Sequence, residues 1–530
     1  MINKTFIKLL SAVIMMTAAM CMTSCGGDDT KPTEPPGSEV PTEPSEPERE
    51  NILAFDIVDG EASVRCVSDT VTEVKIPSEV TIDGATYPVT TIGKYGFSRM
   101  PSLRAIHIPP SIREIKEEAF YMTKIENLHI ESLEAWCTID FAVEEEYTPS
   151  NPSGTRPGMW HYYYDSQPID TATNLYVDGR LVTDLVIPES VTEIGFMAFK
   201  SLNCRSVTLP RSLTKIGGMA FAGCMNLESV TLPESVTSLG TSAFGRGIRI
   251  HIKSLGWWYG LTEHGSQGPH SLWVDGREVT EIRIPDWMTE IPWNLYQCNI
   301  GIRDIAFHDK VESIGYSAFS QCRGLTRLSL PPSLKAIGSE AFSFCSGLTE
   351  IELPSSLETI GSEAFSYCRG LKKLHLPSLL ESIGKEAFRS CESLESLVIP
   401  PCKLKRIEEC TFSNCTGLKT LYISEPVAYI GMLAFLNCKS LEDVTLPSTI
   451  YNLDWGPFSG CQSLKDVYIK STTLPGSCDF TESRDEEFLA NIILHVPEGS
   501  LDIYRNEYPW KYFKEIVGTK PEDFPTPQQY

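Results

Sequence analysis

Histidine is scarce in this chain, with nine in 530 residues, and neither an H-E-x-x-H pair nor a C-x-x-C pair occurs. The short-motif zinc sites therefore have no ligands at the required spacing. No histidine stands beside a Ser or Cys nucleophile in a local catalytic motif, and no glycine-rich loop is placed to cradle phosphate. Basic residues are also few, 45 Lys and Arg against 69 Asp and Glu, for a net charge of −24. Phosphate backbones and anionic membrane surfaces are bound by clustered Lys and Arg, so nucleic acid is excluded as a partner. The acidic residues are scattered, and no pair is set apart for acid–base work. Past the first 25 residues no run approaches the ~18 apolar residues that a spanning helix requires. The chain reads as non-enzymatic, with no cofactor, and the remaining classes are binding and scaffolding.

The N-terminus does hold one apolar run, "LLSAVIMMTAAM" (Leu9 to Met20), behind Lys4 and Lys8. It is too short to cross a bilayer and has the order of a signal peptide, assigned to 1–24. "MTSC" (Met22 to Cys25) resembles the lipobox of bacterial lipoproteins, with Met22 where that pattern prefers Leu. The resemblance implies a lipid on Cys25 and an outer membrane lipoprotein exposed at the cell surface; Cys21, preceded by the bulky Met20, is the poorer candidate. Loss of the two lysines takes the net charge from −24 to −26. Residues 25–50 are rich in Pro and Glu and nearly free of apolar side chains, a composition that stays extended as a tether of roughly 75 Å. The "GGDD" after Cys25 is similar to acidic signals that send lipoproteins of some Gram-negative anaerobes to the outer face. Contact with the membrane is expected through the lipid alone.

From there a phrase recurs. Phe319, Phe342, Phe365 and Phe388 lie 23 residues apart, and Phe412, Phe435 and Phe458 continue at 24, 23 and 23. Phe97 to Phe120, and Phe199 to Phe221 to Phe244, show the same rhythm upstream. The unit reads L-x-x-L-x-L-P-x-S-L-x-x-I-G-x-x-A-F-x-x-C, as in "LTRLSLPPSLKAIGSEAFSFC" (Leu325 to Cys345). A period of this length marks a solenoid. Leu328 and Leu330 alternate as in a short strand ended by Pro331. Leu334 and Ile337 make a second inward piece, Gly338 permits a turn, and Ala341, Phe342 and Cys345 fall on one side of about one helical turn. One unit cannot offset the entropy of its own ordering, so coils must stack and share apolar faces.

These motifs resemble the BspA-type leucine-rich repeat family, from about Ile52 to the C-terminus. The resemblance implies a right-handed stack of coils with short parallel strands and very short helical turns, displayed on bacterial surfaces and linked to attachment or host-protein binding. No Asn ladder appears, unlike better-known leucine-rich repeats. The expected organisation is an N-terminal cap over 51–90, a solenoid over 91–475 of about 14 coils, and a C-terminal cap over 476–530 carrying Tyr504, Trp510 and Phe513. Two insertions, at about 131–186 and 253–283, interrupt it and resemble each other: "IESLEAW" matches "IKSLGWW", and "LYVDGRLVTDLVIP" matches "LWVDGREVTEIRIP". Each has an Asp-Gly pair, Asp178-Gly179 and Asp275-Gly276, between alternating apolar residues, which predicts a tight hairpin.

Eight cysteines stand three residues after the repeat phenylalanine, from Cys224 and Cys322 through Cys461. Parallel neighbours point the same way, so buried thiols are favoured over disulfides. His107, His129, His251 and His375 take the outward position of the first strand, as do Ser329, Glu352, Val398, Tyr422, Thr445 and Tyr468. They predict one exposed ladder, either ordinary solvated sheet or a contact surface. Aromatics gather in the insertions, with Trp160, His161, Tyr162, Tyr163 and Tyr164 in one and Trp257, Trp258, Tyr259 and Trp273 in the other. Trp136 and Trp258 align and are expected to pack inside; Trp160 to Tyr164, with His375, Tyr422 and Tyr468, are the candidate binding residues. The expected function is adhesion or protein–protein interaction with a host or microbial partner, the alternative being glycan binding in nutrient capture.

Overall fold

The computed structural model describes residues 52–141, 173–245, 247–261, 263–264, 271–476, 480 and 486–527. The lipidation candidate Cys25 and the aromatic run Trp160, His161, Tyr162, Tyr163 and Tyr164 lie outside the described residues. The rest is a β-solenoid of about 18 turns with few helices. That exceeds the 14 expected because strands without a phenylalanine mark also join the stack. At one end Val74 pairs with Ile106, and at the other Val467, Leu494 and Ile516 pair in succession.

Each coil contributes three rungs. The first strand pairs in parallel with the same strand of the next coil, as Leu328 with Ile351 and Leu421 with Val444. The second is only two residues long and stays in register, Ile314 to Ile337 to Ile360 to Ile383. The third rung corrects the sequence reading. The segment around the phenylalanine is a tight turn, with left-handed residues two before and two after it, such as Glu340 (φ 56°) and Phe344 (φ 58°). Its amides reach across coils, Phe342 N–H donating to Ala364 O at 2.8 Å and Phe344 N–H to Ser366 O at 2.7 Å. A helical turn would keep these hydrogen bonds within one coil, whereas the turns spend them on the stack.

The phenylalanines form a buried column with centroids 5.3 to 5.5 Å apart from Phe319 to Phe458. Tyr296 extends it upstream of Phe319 and Phe480 extends it beyond Phe458. Beside it the thiols are free and buried. Each donates to the carbonyl of the column aromatic one coil earlier, as Cys345 Sγ to Phe319 O at 3.2 Å, Cys368 Sγ to Phe342 O at 3.3 Å and Cys322 Sγ to Tyr296 O at 3.3 Å. A cysteine there is small enough for the core and still satisfies a carbonyl lone pair. Burial pushes the Cys345 thiol up to about 12. Gly338, expected to permit a turn, serves close approach, and its φ is not in the left-handed region. A Cβ there would stand 2.8 Å from main-chain atoms of Ile314 and Gly315.

Both insertion coils carry a five-residue helix, Leu133–Cys137 and Leu255–Tyr259, between the first and the second strand. Ser132 and Ser254 cap them by accepting the Ala135 and Trp257 amides. Trp136 and Trp258 are buried as expected, and each donates its indole N–H forward, to Ala198 O at 2.7 Å and Leu295 O at 3.4 Å. Those carbonyls stand where a phenylalanine amide donates elsewhere, so among the described residues the indole holds that rung's place. The predicted hairpins are present: Asp178 and Gly179, like Asp275 and Gly276, all have positive φ. Each hairpin also divides the first-strand sheet. Asn174–Val177 pairs back to Asn127–Ile130, while Asp184–Val186 pairs forward to Ser206–Thr208.

Candidate functional site

The outward positions stand in register within separate segments of the first-strand sheet. Lys75, His107, His129 and Tyr176 are paired in turn. His107 and His129 stack at 4.1 Å, and His129 and Tyr176 at 4.4 Å. His107 Nε2 lies 2.7 Å from Glu73 Oε1. Partial burial, then the neighbouring His107, lowers the pKa of His129. In a second segment His251 leans on Trp273, centroids 5.8 Å apart. Ser329 and Glu352 are paired and exposed, and exposed His375 bridges to Val398.

Past Val398 the ladder is no longer open. Tyr422 is only 6% exposed, with Lys470 Nζ donating to its hydroxyl at 2.9 Å and lying 4.9 Å over its ring. Tyr468 is half-buried, stacked on His495 at 4.1 Å with Phe524 edge-on at 6.5 Å. Lys470 also donates to Pro525 O at 3.3 Å. Alternation points these tyrosines outward, but the C-terminal segment turns back over them. Tyr422 is therefore not an exposed contact residue, and Tyr468 is only partly one.

Charges are used between coils. Lys335 and Glu312 approach to 3.0 Å, Arg249 and Glu228 to 2.9 Å, and Lys385 and Glu409 to 2.9 Å, all at the surface. Exposed pairs of this kind stabilise little. Among the described residues no group of three His, Cys, Asp or Glu could hold a metal ion, and no helix is long and apolar enough to cross a membrane.

The second insertion coil presents surface aromatics that sequence reasoning passed over. Trp287 is 66% exposed and Trp293 49% exposed. They line a cleft of about 300 Å³ with Tyr259, Met288 and Pro292. A neighbouring cleft of about 410 Å³ shares Trp287 and Tyr259 and adds Arg283 and Asp286. Tyr259, at the helix end, donates to Arg283 O at 3.1 Å and accepts from the buried Tyr296 hydroxyl at 2.9 Å. This accounts for tyrosine rather than phenylalanine at 296. Desolvation raises the pKa of both phenols. Alignment of the two insertions one coil further would have exposed the pair, since Ser190 and Phe196 occupy the matching positions.

Stacked parallel coils with a leucine–phenylalanine interior define a leucine-rich repeat solenoid, a scaffold for binding rather than an enzyme fold. The family model described as "BspA type Leucine rich repeat region (6 copies)" matches residues 69–141, 173–261, 274–395 and 358–483. That is more than half of the chain, which belongs to this family. Among solved structures the chain is similar to a leucine-rich repeat protein from Bacteroides ovatus, at 21% identity over 88% of this chain and 98% of that one, TM-score 0.38. A leucine-rich cell surface protein from Faecalibacterium prausnitzii is 20% identical over 80% and 94%, TM-score 0.37. The pneumococcal vaccine antigen PcpA is 19% identical over 89% and 98%, TM-score 0.37. A search of curated proteins found no match.

Proposed function

We propose that this protein is a surface-anchored, non-enzymatic scaffold that binds a host or microbial protein through its outward strand face and insertion aromatics. One observation carries the reading: an interior that repeats nearly letter for letter supports an outward column that does not repeat. Phe319, Phe342 and Phe365 are one residue type, while Ser329, Glu352 and His375, one strand position on successive coils, are three. A stack fixes where such side chains sit without fixing what they are, which suits a recognition surface. The region Trp160 to Tyr164 is proposed as the second contact.

The test is capture of a partner by the mature chain from host and bacterial lysates, repeated with Glu352→Lys/His375→Glu and with residues 157–168 removed. Either change is expected to lower capture of the identified partner at least tenfold. The Glu352/His375 pair should leave the thermal midpoint almost unmoved, since exposed substitutions stay within about ±0.5 kcal/mol. Retained capture in both variants would sink the proposal. Anchoring is proposed through lipid on Cys25 after removal of 1–24, with 25–50 as tether. Cys25→Ser is expected to move the protein from the membrane pellet to the soluble fraction, and unchanged fractionation would count against the lipid.

A second reading, capture of glycans, is favoured by the exposed Trp287 and Trp293.

A further inference from the structure

Trp287 and Trp293 project from a coil whose near-duplicate does without them. The two insertion coils align through Ser132 and Ser254, Trp136 and Trp258, and Pro188 and Pro285; at the next matching positions Ser190 stands for Trp287 and Phe196 for Trp293. The same helix, hairpin and strand order form in both. Tryptophan at 287 is therefore not needed to build this coil. Phe196 is half-buried, its ring over Gly218, where an added Cβ would meet ring carbons at 3.2 and 3.3 Å. The residue matching Gly218 is Tyr316, and in that coil Trp293 is exposed.

Among the described residues neither side chain has an internal hydrogen-bonding use. Trp136, Trp257, Trp258 and Trp273 each donate the indole N–H to a protein oxygen. Those of Trp287 and Trp293 have no partner among the described residues. Two indoles with most or half of their area in water, and no indole partner among the described residues, depart from a side chain that ordinarily buries its area and satisfies its donor. Around them the walls are apolar and the rim is polar. Tyr259 and Met288 are buried at the clefts, while Arg283, Asp286, Thr289 and Glu290 are exposed. The two adjoining volumes, about 300 and 410 Å³, fall in the range of small-ligand sites.

We propose that these clefts bind a neutral, pyranose-based oligosaccharide, adjacent sugar rings resting on Trp287 and Trp293; this rests on the second reading above. A pyranose is amphipathic in the way this site is. Its C–H face matches a flat indole, and its hydroxyls match donors and acceptors at the edge. Asp286 and Glu290 accept from hydroxyls, Arg283 donates, and the two indole N–H groups reach a ring or hydroxyl oxygen. A protein partner pressing on the two tryptophans would strip water from those carboxylates, at a cost unless each were paired. Sugar hydroxyls satisfy them without a counter-charge. Two carboxylates against one guanidinium also disfavour glycans bearing uronate or sialate.

The experiment is calorimetric titration of the mature chain with neutral β-glucan, xylan and mannan hexasaccharides, and with an oligouronate. At least one neutral series is expected to bind and quench tryptophan fluorescence, and the oligouronate to give no heat. Trp287→Ala should weaken that binding at least tenfold, and the double variant with Trp293→Ala should remove it. Glu290→Gln should weaken it several-fold, and Phe196→Ala should leave it unchanged. Both tryptophans are exposed, so an unaltered thermal midpoint certifies the double variant as folded. The proposal falls if no neutral oligosaccharide binds at millimolar concentration, if binding survives the double substitution, or if the double variant loses a protein partner instead. Protein capture through the strand face is probed by Glu352 and His375, so either idea can fail alone.

Discussion

Replacing Phe365 by alanine is expected to cost about 4 kcal/mol and to divide one cooperative thermal transition into two. Phe365 is fully buried and stacked between Phe342 at 5.4 Å and Phe388 at 5.3 Å. The void opens at two interfaces at once, because the ring faces a neighbour above and below. Each lost aromatic pair adds about 1 kcal/mol to the area term. Stability in a stack is a sum over neighbouring coils, so weakening two consecutive interfaces uncouples the halves on either side. Calorimetry reads this as two peaks, and limited proteolysis should cut first near the altered coil. A single transition shifted by less than about 2 °C would contradict the stacked-column account of stability.

Gly384→Ala is expected to be nearly as damaging, about 3 kcal/mol, for a change of one methyl group. The added carbon would stand 2.3 Å from Ser362 N, 2.6 Å from Gly361 C and 2.7 Å from Ser362 Cα. All three are main-chain atoms of the preceding coil, so no side chain can swing aside. Backing the coil away would break the hydrogen bond from Gly384 N–H to Ile360 O, 2.8 Å long. Gly499→Ala is the control, since nothing lies within 4 Å of its added carbon, and chemical denaturation should show it within about ±0.5 kcal/mol of the parent. Equal effects at both positions would mean that glycine acts at 384 through chain entropy rather than contact.

Much of this architecture is legible in the sequence because identical contacts require identical letters. The phenylalanine column, the depth of the cysteines, the packing of Trp136 and Trp258 and the two Asp-Gly hairpins all follow from side-chain periodicity or turn chemistry. The turn ladder does not. Its left-handed positions hold Glu340, Phe344 and Tyr367 instead of the glycine or asparagine that ordinarily marks such a backbone. Hydrogen bonds from the neighbouring coil impose the conformation, and those partners stand more than 20 residues away. Tyr422 misled for a related reason. Local alternation gives its direction, but Lys470 and the segment around Pro525, distant in sequence, decide whether water reaches it. Of the candidate site, the outward ladder was readable as a register within each segment, but not its division by the hairpins. Trp287 and Trp293 were hidden by the general richness of the insertions in aromatics, and only comparison of the two insertions sets them apart.

The hydrogen bonds of all three rungs run along the axis of the stack, from each coil to the next. Pulling on the first coil against a grip far along the face is therefore expected to load one interface at a time, as in a zipper. Each coil released adds about 23 residues of slack, roughly 75 Å when extended, in exchange for ~5 Å of rise. A stack built this way is expected to yield in steps under such a load, lengthening manyfold before its far end lets go.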